Sequence, residues 1–283
     1  MLEFTLSPTQ PYSLAQSAWR ASPSRRFADG VLHTVFAVSD EPTAARVWQR
    51  RDGDLVVHLG GDTSSAAVAH LRFVLAVDDD HRPFLEIARR DRLLRDLVDR
   101  RRGLRPMRTS TVAHSLLQAV AGQLITAREA RQIERRVIAS ICPAHVGLFL
   151  PPSTAALRTL AAADLVRCGL APRRAAALAR VVRTLDVERL RGVPTAAAIA
   201  RIERERTLGP WSAGVVAVYG LGRYEHGLVG DLSLIRLCDN LLGRPATAHD
   251  TSRLLARYGE WAGLASVHLM SHPLARHRAM HAA

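Results

Sequence analysis

The 283-residue chain contains no lysine; all 39 of its basic side chains are arginine. Chemistry that runs through a lysine Schiff base is therefore excluded. Aromatic residues make up only 5% of the chain, too few to read as the stacking platforms of an RNA-binding module. The three cysteines, Cys142, Cys168 and Cys238, are odd in number and widely spaced. They offer neither a disulfide framework nor a paired metal motif, and they fit a reducing cytosol. No stretch approaches the ~18 consecutive apolar residues of a membrane span; Trp211 to Leu221 is the longest candidate. The opening Met1-Leu-Glu-Phe-Thr-Leu6 has no basic segment followed by an apolar one, so a cytoplasmic protein without a secretory leader is expected. No membrane association is expected either.

What the chain does have is an ordinary globular balance, 48% hydrophobic and 23% charged, and an uneven positive charge of +13. The first hundred residues carry 13 arginines against 14 acidic side chains; the rest carry 26 against 12. The excess is thus confined to one region. That confinement points to a surface facing a polyanion, with nucleic acid favoured over acidic lipid because no basic amphipathic helix with exposed aromatics stands out.

Alternation predicts strands at Leu2–Leu6, Gly30–Val38, Ala45–Arg50 and Leu55–Leu59, the last two joined by an Asp-Gly hairpin step at Asp52-Gly53. Helical patterns follow at Thr63–Val77 and from Pro83 to about Arg101. Residues 1–105 therefore read as an α+β module, with Arg102-Gly-Leu-Arg-Pro106 as the linker to an all-helical domain over 106–283. There, Thr111–Cys142 forms one helix or two. Helices are then expected at Thr154–Leu160, Ala162–Cys168, Pro172–Thr184, Thr195–Glu205, Ser212–Leu221, Leu232–Leu242 and Ala248–Tyr258.

The informative stretch is Ile202 to Leu242. A helix ends near Arg206, Leu208-Gly209-Pro210 turns, and Trp211-Ser212 opens the next helix. Two helices joined by a glycine turn can hold a phosphate on backbone N–H groups without reading sequence. Twenty residues after Trp211, Asp231 follows Gly230 and precedes an apolar helical run, so by itself it reads as an N-cap. Taken together, hairpin, aromatic, helix and aspartate at a helix start in a basic helical domain resemble the helix–hairpin–helix DNA glycosylases. Arg102-Gly-Leu-Arg-Pro106 with Ser115 to Thr126, and Leu160-Ala-Ala-Ala-Asp164 leading to Gly169-Leu-Ala-Pro-Arg-Arg-Ala175, are similar to the alkylbase (3-methyladenine II-type) branch.

The resemblance implies an α+β fold: a mainly helical glycosylase domain, its hairpin at about 195–222, behind a small antiparallel β-sheet/α module. It implies a monofunctional enzyme of base excision repair that hydrolyses the N-glycosidic bond of a damaged, alkylated base flipped out of double-stranded DNA. Asp231 falls on the catalytic aspartate. Trp211, Val215, Leu232 and Met270 fall around the base pocket, the last three where relatives often have aromatics. Gln123 and Leu124 fall on the glutamine and wedge of a loop that enters DNA; without the resemblance they read as the interior or end of a helix. Thr207, Leu208, Gly209 and Ser212 form the DNA-binding hairpin, with Thr207 replacing the usual first glycine. No cofactor is implied beyond a monovalent cation in the hairpin; iron–sulfur cysteines are absent. A nucleoid-associated monomer is expected. The alternative is a non-catalytic, damage-sensing or architectural DNA-binding protein, which shares the hairpin but has no need of the Asp231 carboxylate.

Other candidates read as structural. His268 with His272, and His277 with His281, have zinc-like spacing but no acidic or cysteine partner, and His268 reads as a core residue. Asp78-Asp79-Asp80 reads as a solvated, capping turn. Trp19, Trp48 and Trp261 read as packing residues.

Overall fold

Strand alternation builds the first layer. In the computed structural model, which describes residues 1–276, β1 (Leu2–Leu6), β2 (Arg25–Ala28), β3 (Val31–Val38), β4 (Glu41–Gln49) and β5 (Leu55–Gly60) pair antiparallel in the order β1-β5-β4-β3-β2. A short helix, α1 (Leu14–Ser17), precedes β2. Phe4, Val57, Val47, Leu32 and Phe27 stand in one cross-strand row. With Leu71 and Leu75 of α2 (Ser65–Leu75) they form a small core. β2 is not among the expected strands, because Arg25-Arg26-Phe27-Ala28 has little alternation of its own; pairing with β3 makes it one.

The single helix expected from Pro83 to Arg101 is two, α3 (Arg82–Arg90) and α4 (Arg95–Arg100). The Asp91 carboxylate accepts from Leu93 N (2.8 Å) and Leu94 N (3.2 Å), a side-chain turn that competes with helix continuation. Phe84, Leu85, Leu94, Leu97 and Leu104 join the main core of the helical half, not the sheet's. Residues 103–110 are all buried. Arg105 is fully enclosed, and Arg108 donates to both oxygens of Asp79 at 2.6 Å.

The 111–142 stretch resolves into α5 (Val112–Gly122) and α6 (Ala127–Ile141). Thr126 and Glu129 cap α6 reciprocally. A small hairpin, β6 (Ala144–His145) and β7 (Leu148–Phe149), leads to α7 (Thr154–Arg158), α8 (Ala162–Arg167) and α9 (Pro172–Thr184). Then come α10 (Thr195–Glu203) and α11 (Pro210–Val215), which runs on as a π-helical turn, Val216–Leu221. α12 (Leu232–Leu242), α13 (Ala248–Ala256), α14 (Ala262–Leu269) and α15 (Pro273–Arg276) complete the described chain. α14 lay outside the expected helices. All its residues are buried, so it carries no amphipathic period to read.

Two sequence readings need correction. Trp19 is 55% exposed and does not pack in a core. Asp79 does not belong to a solvated turn: it also accepts from the Tyr224 hydroxyl at 2.8 Å, while Asp78 and Asp80 do sit outside, paired with Arg72 and Arg82. His268 is buried, its ring tilted on Phe84. His277 and His281 lie outside the described residues, among which no helix is long and apolar enough to cross a membrane.

Candidate active site and nucleic-acid interface

Asp231 sits where a left-handed Gly230 (φ +83°) turns the chain into α12. The Gly230 N–H donates to Thr251 Oγ1 of α13 (2.8 Å), which fixes that turn. The carboxylate is an N-cap, as its position predicts: Oδ1 accepts from Ser233 N at 2.8 Å. It does a second thing that the cap reading does not require. Oδ2 accepts from the indole Nε1 of Trp211 at 3.0 Å. Each oxygen thus has one protein donor and keeps further lone-pair capacity on a half-buried group. Two donors orient the carboxylate without saturating it.

Trp211 is tied in turn to α5. A Cβ on Gly122 would lie 2.9 Å from the Trp211 ring, so the glycine that ends α5 lets the indole lie against the helix end. The next residue, Gln123, donates its amide to Thr207 O (2.7 Å) and to Ser212 Oγ (2.9 Å), bridging both sides of the hairpin turn. Leu124 then leaves the surface. It has φ +53° and is 80% exposed, a strained backbone presenting an apolar side chain to water. Gln123 is thus the C-cap of α5, as the helix-end reading has it, and Leu124 lies just past that end and not in a helix interior.

The hairpin turn is braced from beneath. Leu208 is buried, Leu208 N donates to Glu205 O at 2.7 Å, and Arg180 pairs with Glu205 at 2.8 Å. The Arg180 hydrogen bond holds the Glu205 carboxyl below its ordinary range. Thr207, in place of a glycine, turns its hydroxyl onto Glu205 Oε1 (3.2 Å). Gly209 caps α11 without a side chain, Pro210 occupies the first turn, and a Cβ on Gly209 would meet nothing within 4 Å. The chain entering α11 is thus open to approach at Gly209. Arg204 and Arg206 in the turn, and Arg128 and Arg131 at the start of α6, are exposed and make no ion pair among the described residues. Sequence reasoning did not single them out, although two of the four lie in the hairpin itself.

The remaining pocket candidates spread out. Val215 is buried, 5% exposed, in the main core; Leu232 is 46% exposed beside Asp231; Met270 caps α14, partly buried against the same core. Among the described residues no three His, Cys, Asp or Glu side chains are grouped to hold a metal ion.

No family model matches the chain. Over 216 residues it is 28% identical to the probable bifunctional transcriptional activator/DNA repair enzyme AlkA of Mycobacterium tuberculosis, in two strains. That match takes in 74% of this chain and 43% of the relative, so the chain spans less than half of the relative's length. Among solved structures, the 3-methyladenine DNA glycosylase of Archaeoglobus fulgidus superposes with a TM-score of 0.80 at 19% identity, covering 95% of this chain and 97% of that one. The chain shares the fold of that DNA glycosylase. Two other glycosylase structures agree. The 8-oxoguanine glycosylase/lyase of Clostridium acetobutylicum gives a TM-score of 0.76 at 14% identity over 95% of this chain and 96% of that one. The Schizosaccharomyces pombe 3-methyladenine DNA glycosylase Mag1, in complex with abasic DNA, gives 0.55 at 20% identity, over 66% and 95%. An antiparallel five-stranded sheet before a mainly helical domain is the arrangement shared with the Archaeoglobus fulgidus structure.

Proposed function

We propose that this protein is a monofunctional DNA glycosylase of base excision repair, acting on alkylated bases extruded from duplex DNA. The observation that carries the reading is the Asp231 carboxylate, held by Ser233 N and Trp211 Nε1, in a chain of contacts that runs through Trp211 and Gln123 to the hairpin and to the exposed Leu124.

The N-glycosidic bond is inaccessible inside a stacked duplex, so the nucleotide must leave the helix. Leu124 fills the vacated stack, while the N–H groups at the start of α11 and the free arginines around the turn hold the phosphates. As the base departs, positive charge grows on the sugar, as in glycoside hydrolysis. The ionised Asp231, with lone pairs to spare, stabilises that charge and orients the attacking water or takes its proton. The electron-rich face of Trp211 favours a cationic purine such as 3-methyladenine or 7-methylguanine. Of the other candidate lining residues only Leu232 is exposed beside Asp231, so Trp211 is the one aromatic face among them, which favours a narrow substrate range.

The chain has no lysine. No side-chain amine is on hand for Schiff-base formation and strand cleavage, so the product is an abasic site with an intact backbone. The hairpin carbonyls are hard oxygen donors of the kind a monovalent cation takes; that of Thr207 already accepts the Gln123 amide, and no step requires an ion.

The test is base release from methylated duplex DNA, read by mass spectrometry, for the wild-type protein and Asp231→Asn. The enzyme reading expects free methylated purine from the wild type and a loss of at least about 100-fold in the variant, with duplex affinity nearly kept. A binding module gives no free base from either protein. Strand scission by the pure protein without alkali or heat would refute the monofunctional assignment.

A further inference from the structure

A second basic feature lies on the opposite face of the sheet from its core. The strand register sets Glu3, His58, Arg46, His33 and Arg26 directly side by side, one from each strand in sheet order. They alternate with the apolar row that packs on α2, so they face outward. Like charges placed directly across strands are destabilising. Here the row holds two arginines and two histidines and a single carboxylate, and that carboxylate, at the end of the row, is taken by His58 Nε2 at 2.9 Å. Arg26 and Arg46 are exposed and pair with no carboxylate among the described residues. The first hundred residues as a whole have slightly more acidic than basic side chains, so general basicity does not account for the row.

The row is also the floor of a groove. The β6–β7 hairpin stands beside it, anchored where Phe149 N donates to Pro23 O (3.0 Å), and presents Val146 and Leu148 as an apolar wall. Between wall and floor is an open cavity of about 260 Å³ touched by Arg26, His33, Arg46 and His58. Val146 is 70% exposed and, with Gly147, holds a left-handed turn (φ +44° and +80°) that keeps the wall upright. Partial burial, and after it the arginines on either side, keep the His33 imidazole below its ordinary pKa.

We infer that this groove binds the phosphate of a nucleotide, Arg26 and Arg46 taking the phosphate oxygens and the Val146–Leu148 wall covering the attached sugar or base. Arginine pairs give bidentate, charge-assisted bonds to phosphate, and an anion seated between them removes the repulsion in the row. The phosphate comes from a free mononucleotide or from the backbone of a DNA strand that reaches past the helical face. The inference is independent of the chemistry at Asp231.

The test uses the full chain, the double variant Arg26→Ser/Arg46→Ser, and a hairpin control, Gly209→Ala. Inorganic phosphate, adenosine 5′-monophosphate and a 30-base-pair duplex are each titrated by calorimetry, with the His33 and His58 ring resonances followed by NMR. A mononucleotide source predicts that adenosine 5′-monophosphate binds, shifts both rings, and loses affinity about tenfold in the double variant but not in the control. A backbone source predicts weak mononucleotide binding but duplex affinity reduced about tenfold in the double variant, with a shallower salt dependence. The inference is overturned if the double variant, still folded by circular dichroism, matches the wild type with all three ligands, or if neither ring responds to any of them.

Discussion

At the scale of single residues, the Asp231–Trp211 pair is where a structural and a chemical role coincide. Ser233 N alone would make Asp231 a helix cap worth about 1 kcal/mol. The Trp211 indole N–H adds an orientation that helix stability does not call for. Trp211→Phe keeps the ring and removes that donor. Base release should fall about tenfold while duplex affinity changes less than twofold, a split that single-turnover kinetics and a binding titration together would reveal. Leu124 stores strain in the opposite sense, since an exposed leucine at φ +53° gains nothing in the free protein. Leu124→Gly relieves that strain, and the melting temperature should hold or rise slightly. Excision from a fully paired lesion should slow more than excision from a mismatched one, where extrusion costs less. The order of residues around Asp231 was legible in the sequence, since a glycine before an aspartate before an apolar run is a local signal. The Trp211 bond was not, because twenty residues separate the partners and only the close approach of α11, at Gly214, to the loop at Gly227–Leu228 closes the distance.

At the scale of elements, glycines decide how closely the site's helices approach. A Cβ on Gly214, in α11, would sit 2.4 Å from the Gly227 carbonyl oxygen, backbone that has nowhere to move. Gly214→Ala should cost about 2–3 kcal/mol in urea denaturation. Gly209 is the contrast. With φ −84° and open space around it, an alanine there should change stability by less than about 1 kcal/mol yet weaken duplex binding several-fold, because the added methyl stands where a phosphate must come. Helices with a local start signal and one apolar face were readable to the residue, α9 from Pro172 in its first turn and α12 from its Asp231 cap. α14 and the π-turn after Val215 were not: a helix buried all round has no period, and a π-turn is settled by what packs against it.

The whole molecule is joined by a buried polar knot that local sequence gives no sign of. Asp79 from the sheet half meets Arg108 and Tyr224 from the helical half, with His81 3.6 Å away. Burial pushes the Asp79 carboxyl up, but contacts from His81, Arg108 and Tyr224 outweigh it and hold its pKa at about 2. Burial lowers His81 to about 4 and His268 to about 3. For the two histidines the folded value lies below the unfolded one, so stability is full above pH ~6.5 and drains as the unfolded chain takes up protons down to pH ~4 and below. Asp79 adds a further loss between pH ~4 and ~2 by the same sign. Urea midpoints measured from pH 8 to pH 4 should be level down to about pH 7 and then fall, and His268→Leu should flatten the slope. The knot shows why Asp78-Asp79-Asp80 misleads as a string: three like residues in a row have three different surroundings, and only the middle one turns inward.

The passage from Gly103 to Ser110 carries a consequence for how such a chain can be taken apart or shared out. Because it runs through the interior, and because α3 and α4 lend their apolar sides to the larger core, no cut near residue 105 frees a sheet that leaves a sealed remainder. Excising the first hundred residues would strip the roof from the helical half. The sheet half and the core of the helical half are in that sense one inheritance, gained or lost together.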